Sequence, residues 1–338
     1  MGGLNDTLCQ IEKCWRYAET YRRHLVIDSA FCGLMDDFFR YFVPRPDTRI
    51  EVSGLTPDLL AGFDAMDSVF PAVLTGRISG YQVDQIEPGE NLCETESRVP
   101  LRFDLDRDHE AQLLVHHQFG GGKMGFSALR RLSLTAPVAA DILSRYRDLG
   151  SGYAAVHIRN TDMTTDYAPV FRAIRPLVRG RTLLVCSDDL GCIDHARAYY
   201  GDAVRVVSNA NIPDTGGKTL HHNDTLDRFA ANCDSLADLF WLSMSRRLFL
   251  TRTQEAKMSG YSRLAAELAS DTRTSRALVG QAVGDGQGDD GFAARRLSDL
   301  SGPRWDRSLA PVWLVRRLRL PGKHLHVPVP YRIRVGRA

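Results

Sequence analysis

The sequence predicts an α/β fold with a parallel sheet covered by helices on both faces, and three observations carry that expectation. First, apolar runs of strand length alternate with helical stretches beyond Tyr153. The strands are expected at 153–158, 182–186, 204–208 and 248–251, and the helices at 167–178, 193–200, 226–242 and 260–268. Alternation on this scale brings successive strands side by side in one direction. Second, polar residues gather where strands run out: His157, Arg159, Thr161 and Asp162 after one, Ser187, Asp188 and Asp189 after the next. Open α/β sheets place ligands at those carboxyl ends. Third, small polar runs stand at two helix starts, Gly2-Gly3-Leu4-Asn5 and Ser259-Gly260-Tyr261-Ser262. Free N–H groups and the helix dipole make such starts receptive to anions, although an ordinary capped helix reads the same way.

Taken in order, Leu8, Ile11, Trp15, Ala18 and Tyr21 fall at helical spacing, and 24–28 reads as a short strand. In a βαβ unit a strand precedes such a glycine turn; here the chain opens on the turn, so the first strand is expected to be missing. The aromatic run 36–42 is expected to pack at the edge of the first domain, with strands at 49–53, 101–105 and 112–115. His116 and His117 beside Gly120, Gly121 and Gly122 read either as the wall of a cleft or as a polar strand end with a flexible loop. A helix is expected over 127–147, starting near Ser127 or restarting after Pro137. Residues 209–225 read as a long loop of the functional kind. The expected division is 1–145, 146–270 and a tail of 271–338, flexible and low in complexity over 284–291 and basic over 314–320. Such a tail offers weak peripheral contact with an anionic membrane surface; a solvated end is the alternative.

Composition excludes several classes. Of 338 residues 43% are hydrophobic and 25% charged, which suits a globular core. A formal charge of +2 is too small to argue for nucleic acid as partner. No run approaches the roughly 20 apolar residues that cross a bilayer, and no secretory signal is visible at the start. The seven cysteines are scattered without a Cys-x-x-Cys pair, so no disulfide framework or zinc site is expected. A cytoplasmic protein, at most peripheral to the inner face of the membrane, is the expectation.

Arg159 is a candidate phosphate ligand, with a buried strand followed by a polar turn as the alternative. Its planar fork fits a phosphate bidentately, which Lys cannot do, and His157 leaves the same face of the strand two residues earlier. Asp162 is in reach by sequence, with bonding of its own turn as the alternative role. Asp188 or Asp189 belongs to the ligand side by topology or caps the next helix.

Together these pieces resemble the GDP-fucose-dependent fucosyltransferases, namely the protein O-fucosyltransferases and the α-1,6-fucosyltransferases, including the nodulation-factor enzyme. The resembling positions are Gly2-Gly3-Leu4-Asn5, His157-Ile158-Arg159 with Thr161-Asp162, Asp238-Leu239-Phe240, and Ser259-Gly260-Tyr261-Ser262. It covers most of 2–270 in order and spacing, with His-x-Arg its one specific motif. The chain departs from the family in carrying Ser-Gly-Tyr for Ser-Ser-Phe, and Arg159-Asn160 where the α-1,6 enzymes have two arginines.

The resemblance implies two Rossmann-like domains facing a cleft (GT-B type), the second holding the nucleotide sugar and the first the acceptor. It implies an inverting glycosyltransferase that moves a sugar, fucose above others, from a GDP-sugar donor to a glycan or surface-polysaccharide acceptor, with no further cofactor and no metal. The resemblance implies that Arg159 is the catalytic residue, and the implied donor-binding residues are Gly2, Gly3, Asn5, His157, Asp162, Asp238, Ser259, Gly260, Tyr261 and Ser262. A catalytically silent nucleotide-sugar-binding protein is the alternative. A dehydrogenase on the same sheet is disfavoured, because no Gly-x-Gly-x-x-Gly follows a strand.

Overall fold

The computed structural model describes residues 3–29, 32–86, 91–118, 120–150, 152–209, 227–254, 258–280, 315–320 and 323–328. Gly2, nearly all of the loop expected at 209–225 and the 284–291 segment lie outside the described residues. The chain forms two compact units, divided between Thr135 and Ala136.

In the first unit, helix α1 (Leu4–Tyr21) buries Leu8, Ile11, Trp15 and Ala18, the face expected from their spacing. Strands β1 (Leu25–Ile27), β2 (Phe42–Pro44) and β3 (Val52–Gly54) follow. Helix α2 (Pro57–Asp64) is capped by Thr56, whose hydroxyl accepts from Leu59 N, with Pro57 in its first turn where no N–H is needed. Strands β4 (Val69–Phe70), β5 (Val83–Ile86), β6 (Asn91–Glu94) and β7 (Leu113–Leu114), helix α3 (Gly125–Leu129) and strand β8 (Leu132–Leu134) complete it. β1 pairs with β3 and β4 with β7 in parallel, whereas β2–β8 and β5–β6 are antiparallel.

Two expectations are corrected here. Residues 101–105 are not a strand: Leu101 is buried with Val69, Leu74 and Ile78, but the chain then turns, with Asp104 Oδ1 accepting from Asp106 N. Nor is 127–147 one helix, because Leu132–Leu134 pair with β2 and interrupt it.

The second unit begins with α4 (Ala136–Leu149), β9 (Ala154–Ile158), α5 (Ala168–Val178), β10 (Thr182–Ser187) and α6 (Leu190–Tyr200). It continues with β11 (Arg205–Val207), α7 (Arg228–Met244), β12 (Arg247–Leu250), α8 (Gly260–Ser270) and α9 (Thr272–Gly280). The division precedes the boundary expected at 145/146 because α4 is a single helix whose buried face packs on α7 and α9. The second unit also runs past 270: α9 packs on α4 and α8, burying Leu278 and Val279. In the tail, Val315–Leu320 and Lys323–Pro328 pair as an antiparallel hairpin. No helix among the described residues is long and apolar enough to cross a membrane.

The expected parallel sheet is present, in the order β11-β10-β9-β12. Every residue of β9 is buried, as a strand covered on both faces requires. Ala154, Val156 and Ile158 pack into a core with Phe171 and Ile174 of α5 and Ile193 and Ala196 of α6. His157, of opposite parity, faces the other layer, where α8 lies. From β9 the chain steps outward through β10 and β11, then returns to place β12 on the other side of β9. The order therefore reverses between β9 and β12, and that topological switch point is where open α/β sheets form a crevice at their carboxyl ends.

Candidate functional site

His157, the last but one residue of β9, sits at this switch point and is 7% exposed. Its Nδ1 lies 2.7 Å from Ser262 Oγ, and its ring lies 4.9 Å from that of Tyr261. Ser259 caps α8, its Oγ accepting from Ser262 N at 3.0 Å and donating to Ser262 Oγ at 3.0 Å. Ser262 keeps its own proton, which it can give to Nδ1; in that tautomer the neutral imidazole carries hydrogen on Nε2, which has no hydrogen-bond partner among the described residues. Burial, assisted by the Arg159 cation, pulls the His157 pKa down to about 3, so the ring is neutral at physiological pH. His157 is a neutral ring whose Nδ1 is engaged by a two-serine relay from the next helix.

Arg159 follows where β9 ends. Its Nε and Nη2 reach Asp162 Oδ1 at 2.8 and 2.7 Å, and its Nη1 reaches Asp188 Oδ2 at 2.7 Å. Asp188, at the end of β10, is 7% exposed and also accepts from Asn160 N and Thr161 Oγ1, both at 2.7 Å. These contacts hold the guanidinium between two carboxylates: the Nε–H hydrogen-bonds Asp162, and the two Nη groups are in ion-pair contact with Asp162 and Asp188. Asp189, by contrast, caps α6, accepting from Gly191 N at 2.8 Å and from Asn160 Nδ2 at 2.6 Å. The two adjacent aspartates thus divide the roles that sequence left open: Asp188 holds the arginine and Asp189 the helix. Asp162 is bonded to Arg159, the alternative role expected for it.

At the start of α8, Gly260 is the first helical residue and Tyr261 donates its hydroxyl to the Ser235 carbonyl of α7. Asp238, three residues further along α7, has a buried Oδ1 with no partner among the described residues. Its burial, partly offset by a hydrogen bond from Cys186 and reinforced by the nearby Asp234, raises its pKa to about 7. An acceptor oxygen left unpaired in a buried wall calls for a ligand N–H or for water.

Gly3 and Asn5 belong to the first unit. Gly3 is the residue before α1, its carbonyl accepting from Asp6 N and Thr7 N, and Asn5 is buried with Nδ2 3.4 Å from the Gly122 carbonyl. The 120–122 glycine run packs against the first turns of α1: a Cβ on Gly121 would stand 2.2 Å from Asp6 Oδ1 and 2.7 Å from Asn5 Nδ2. Those glycines serve close approach to the helix. Gly2 lies outside the described residues.

Sequence reasoning named His157, Arg159, Asp162, Ser259, Gly260, Tyr261 and Ser262, and the second unit brings them together around the ends of β9 and β12. It placed Asp188 by topology at a strand's carboxyl end but did not pair it with Arg159, a contact that joins two strands.

No family model matches the sequence, and no curated protein matches it. Solved structures do. A crystal structure of the fucosyltransferase NodZ from Bradyrhizobium aligns with 78% of this chain and 89% of its own, at 17% identity and a TM-score of 0.50. That of NodZ alpha-1,6-fucosyltransferase co-crystallized with GDP aligns over 78% and 88%, at 16% identity and a TM-score of 0.50. The likeness is one of fold: this chain has the fold of those fucosyltransferase structures.

Proposed function

From a fold shared with a fucosyltransferase crystallised with GDP, we propose that this chain is a glycosyltransferase that takes a sugar, with fucose foremost, from a GDP-sugar and delivers it with inversion to a glycan or surface-polysaccharide acceptor. The observation that carries the reading is the convergence at the β9/β12 switch point of a fixed arginine fork, a neutral His157 N–H and the capped amino terminus of α8. In the transfer, the bond between the sugar anomeric carbon and the diphosphate oxygen breaks, and its electron pair stays on the diphosphate. The acceptor oxygen forms the new bond and releases its proton. Negative charge grows on the leaving phosphate, and the Nη–H groups of Arg159, His157 Nε2–H and the first N–H groups of α8 are donors for that charge. Because both carboxylates already orient the guanidinium, little reorganisation is needed when the charge appears. Asp238 Oδ1 is suited to the guanine edge, whose ring N–H and amino group are donors that adenine does not present in the same pattern.

A second reading, donor binding without transfer, draws on the same fork: Asp162 and Asp188 pair with Arg159 and place two negative charges beside the phosphate seat. One experiment separates the two. Melting temperature is followed with GDP, ADP, UDP and GDP-fucose, since a ligand of the native state raises it by mass action. GDP-fucose hydrolysis and transfer to a panel of saccharides are then measured on the same preparation. GDP-selective stabilisation with turnover supports transfer, stabilisation without turnover supports the silent reading, and no stabilisation by any guanine nucleotide overturns both.

A further inference from the structure

The four helix-to-strand connections of the second unit, 150–153, 179–181, 201–204 and 245–246, meet at the amino-terminal end of its sheet. The opposite end carries His157 and Arg159. The charged residues of these connections are Arg179, Arg181, Asp202 and Arg246, and β11 opens on Arg205. Backbone bonds tie them into one row. Gly180 N donates to the Ala203 carbonyl at 2.9 Å, Arg205 N to the Arg181 carbonyl at 3.1 Å, and Arg246 N to the Tyr153 carbonyl at 3.0 Å. Arg205 opens one outer strand and Arg246 immediately precedes the other, β12. At three strand spacings the row is about 14 Å wide.

Arg179, Arg181, Arg205 and Arg246 are all exposed, and among the described residues none of their side chains makes a hydrogen bond or an ion pair. The ordinary service of a cation here is to answer the negative end of a helix. Other groups perform it. Arg175 and Arg197 stand in the last turns of α5 and α6, and Arg247 Nη1 reaches the Leu177 carbonyl at 3.4 Å. The acidic groups at this end are Asp202 and, beside Arg147 in the last turn of α4, Asp148; both are exposed and neither pairs with the row.

Four guanidinium groups spread in this way suit a partner with several negative charges. A nucleic-acid strand is disfavoured: Tyr153, the one aromatic residue in the four connections, is buried, so bases have nothing to stack on. A rigid acidic protein would have to match the spacing of the row, whereas the headgroups of a fluid leaflet move sideways to meet each arginine. Apolar insertion plays no part, because the exposed large hydrophobic residues among those described, Val43, Met163 and Leu190, lie outside these connections.

We propose that the amino-terminal end of this sheet docks on an anionic lipid surface through Arg179, Arg181, Arg205 and Arg246, by charge alone. The carboxyl end of the sheet then faces away from the lipid. The docking stands whether or not that end transfers a sugar.

The test sediments the full chain with phosphatidylcholine vesicles, with and without phosphatidylserine. Binding should require phosphatidylserine, and it should be present at about 0.1 M salt and gone at about 1 M, where the screening length has fallen from about 10 to about 3 Å. Each arginine beside such a leaflet contributes about fivefold in affinity, so Arg181→Gln with Arg205→Gln should weaken binding by about twentyfold. Adding Arg179→Gln and Arg246→Gln should abolish it. Melting curves check that the variants fold, and should the fourfold variant fail to, the double variant carries the comparison. A tail variant, Arg316→Gln with Arg317→Gln and Arg319→Gln, should bind as the parent does. The inference is overturned if phosphatidylserine is not required, if binding survives about 1 M salt, if the substitutions in the row leave binding unaltered, or if those in the tail abolish it. Retention of a DNA duplex or an acidic peptide through the row, without retention of vesicles, overturns it as well.

Discussion

Replacing Arg159 by Lys keeps the charge and removes the geometry, which makes it the sharpest perturbation of the proposed donor site. The guanidinium now makes three charged contacts of 2.7–2.8 Å to Asp162 and Asp188. One ammonium cannot span both carboxylates and still present two donors to a phosphate. The folding cost should be modest. Breaking a buried ion pair costs about 3–5 kcal/mol when the survivor is left unsatisfied, but Asp188 keeps its bonds from Asn160 N and Thr161 Oγ1. Asp162 is 46% exposed and can turn to water. A loss of about 1–2 kcal/mol is expected, or a melting point lower by several degrees at about 2–4 °C per kcal/mol. Function should suffer more. A hydrogen bond to a charged group contributes about 1.5–3 kcal/mol, so GDP should bind about tenfold to a hundredfold more weakly. Turnover at saturating donor should fall by a further hundredfold or so, because the fork meets charge that is larger in the transition state than in the ground state. Calorimetry with GDP, saturating-donor kinetics and a melting curve on one preparation measure all three. A Lys variant with unchanged turnover would refute the assignment of Arg159 to the leaving phosphate, and one that fails to fold would show that the clamp is structural.

Two further outcomes follow from the same geometry. His157 has a folded pKa of about 3 against an ordinary value of 6.5, so between those values the unfolded chain binds more protons. Its contribution is therefore complete above pH 6.5 and is lost progressively as pH falls towards 3, with His116, lowered to about 4, acting in the same direction. His157→Asn should flatten the acid limb of stability against pH, and a His157 imidazole that titrates near pH 6.5 in the folded chain would contradict its burial. In the first unit, Gly121→Ala should cost about 1–3 kcal/mol by overpacking, since its Cβ would meet Asp6 and Asn5. Gly122→Ala is the control, its nearest neighbour Cys9 Sγ being 3.9 Å away, and equal melting points for the two would show that the glycine run does not press on α1.

By itself the sequence determined the parallel sheet of the second unit, because short apolar runs such as 154–156 and 183–186 alternate with helical stretches, which brings successive strands side by side in one direction. It also determined that α1 buries Leu8, Ile11, Trp15 and Ala18, and that a cation and a hydroxyl-bearing helix start stand at strand ends. Those are local signals, carried by periodicity and by side-chain type. The first unit was less legible because its strands are two to four residues long and pair across long stretches of chain, so no period develops within any of them. Leu132–Leu134 are helix-compatible residues taken by β2 into a strand.

Only the tertiary structure decided which of two adjacent aspartates holds Arg159 and which caps α6, since Asp188 and Asp189 differ in nothing but their direction at the end of β10. Only it showed that Ser259 and Ser262, some hundred residues from His157 in sequence, engage Nδ1 of that ring. Proton placement and the pairing of buried charges depend on which groups lie within about 3 Å of one another. That is a property of packing between elements, which no stretch of sequence displays.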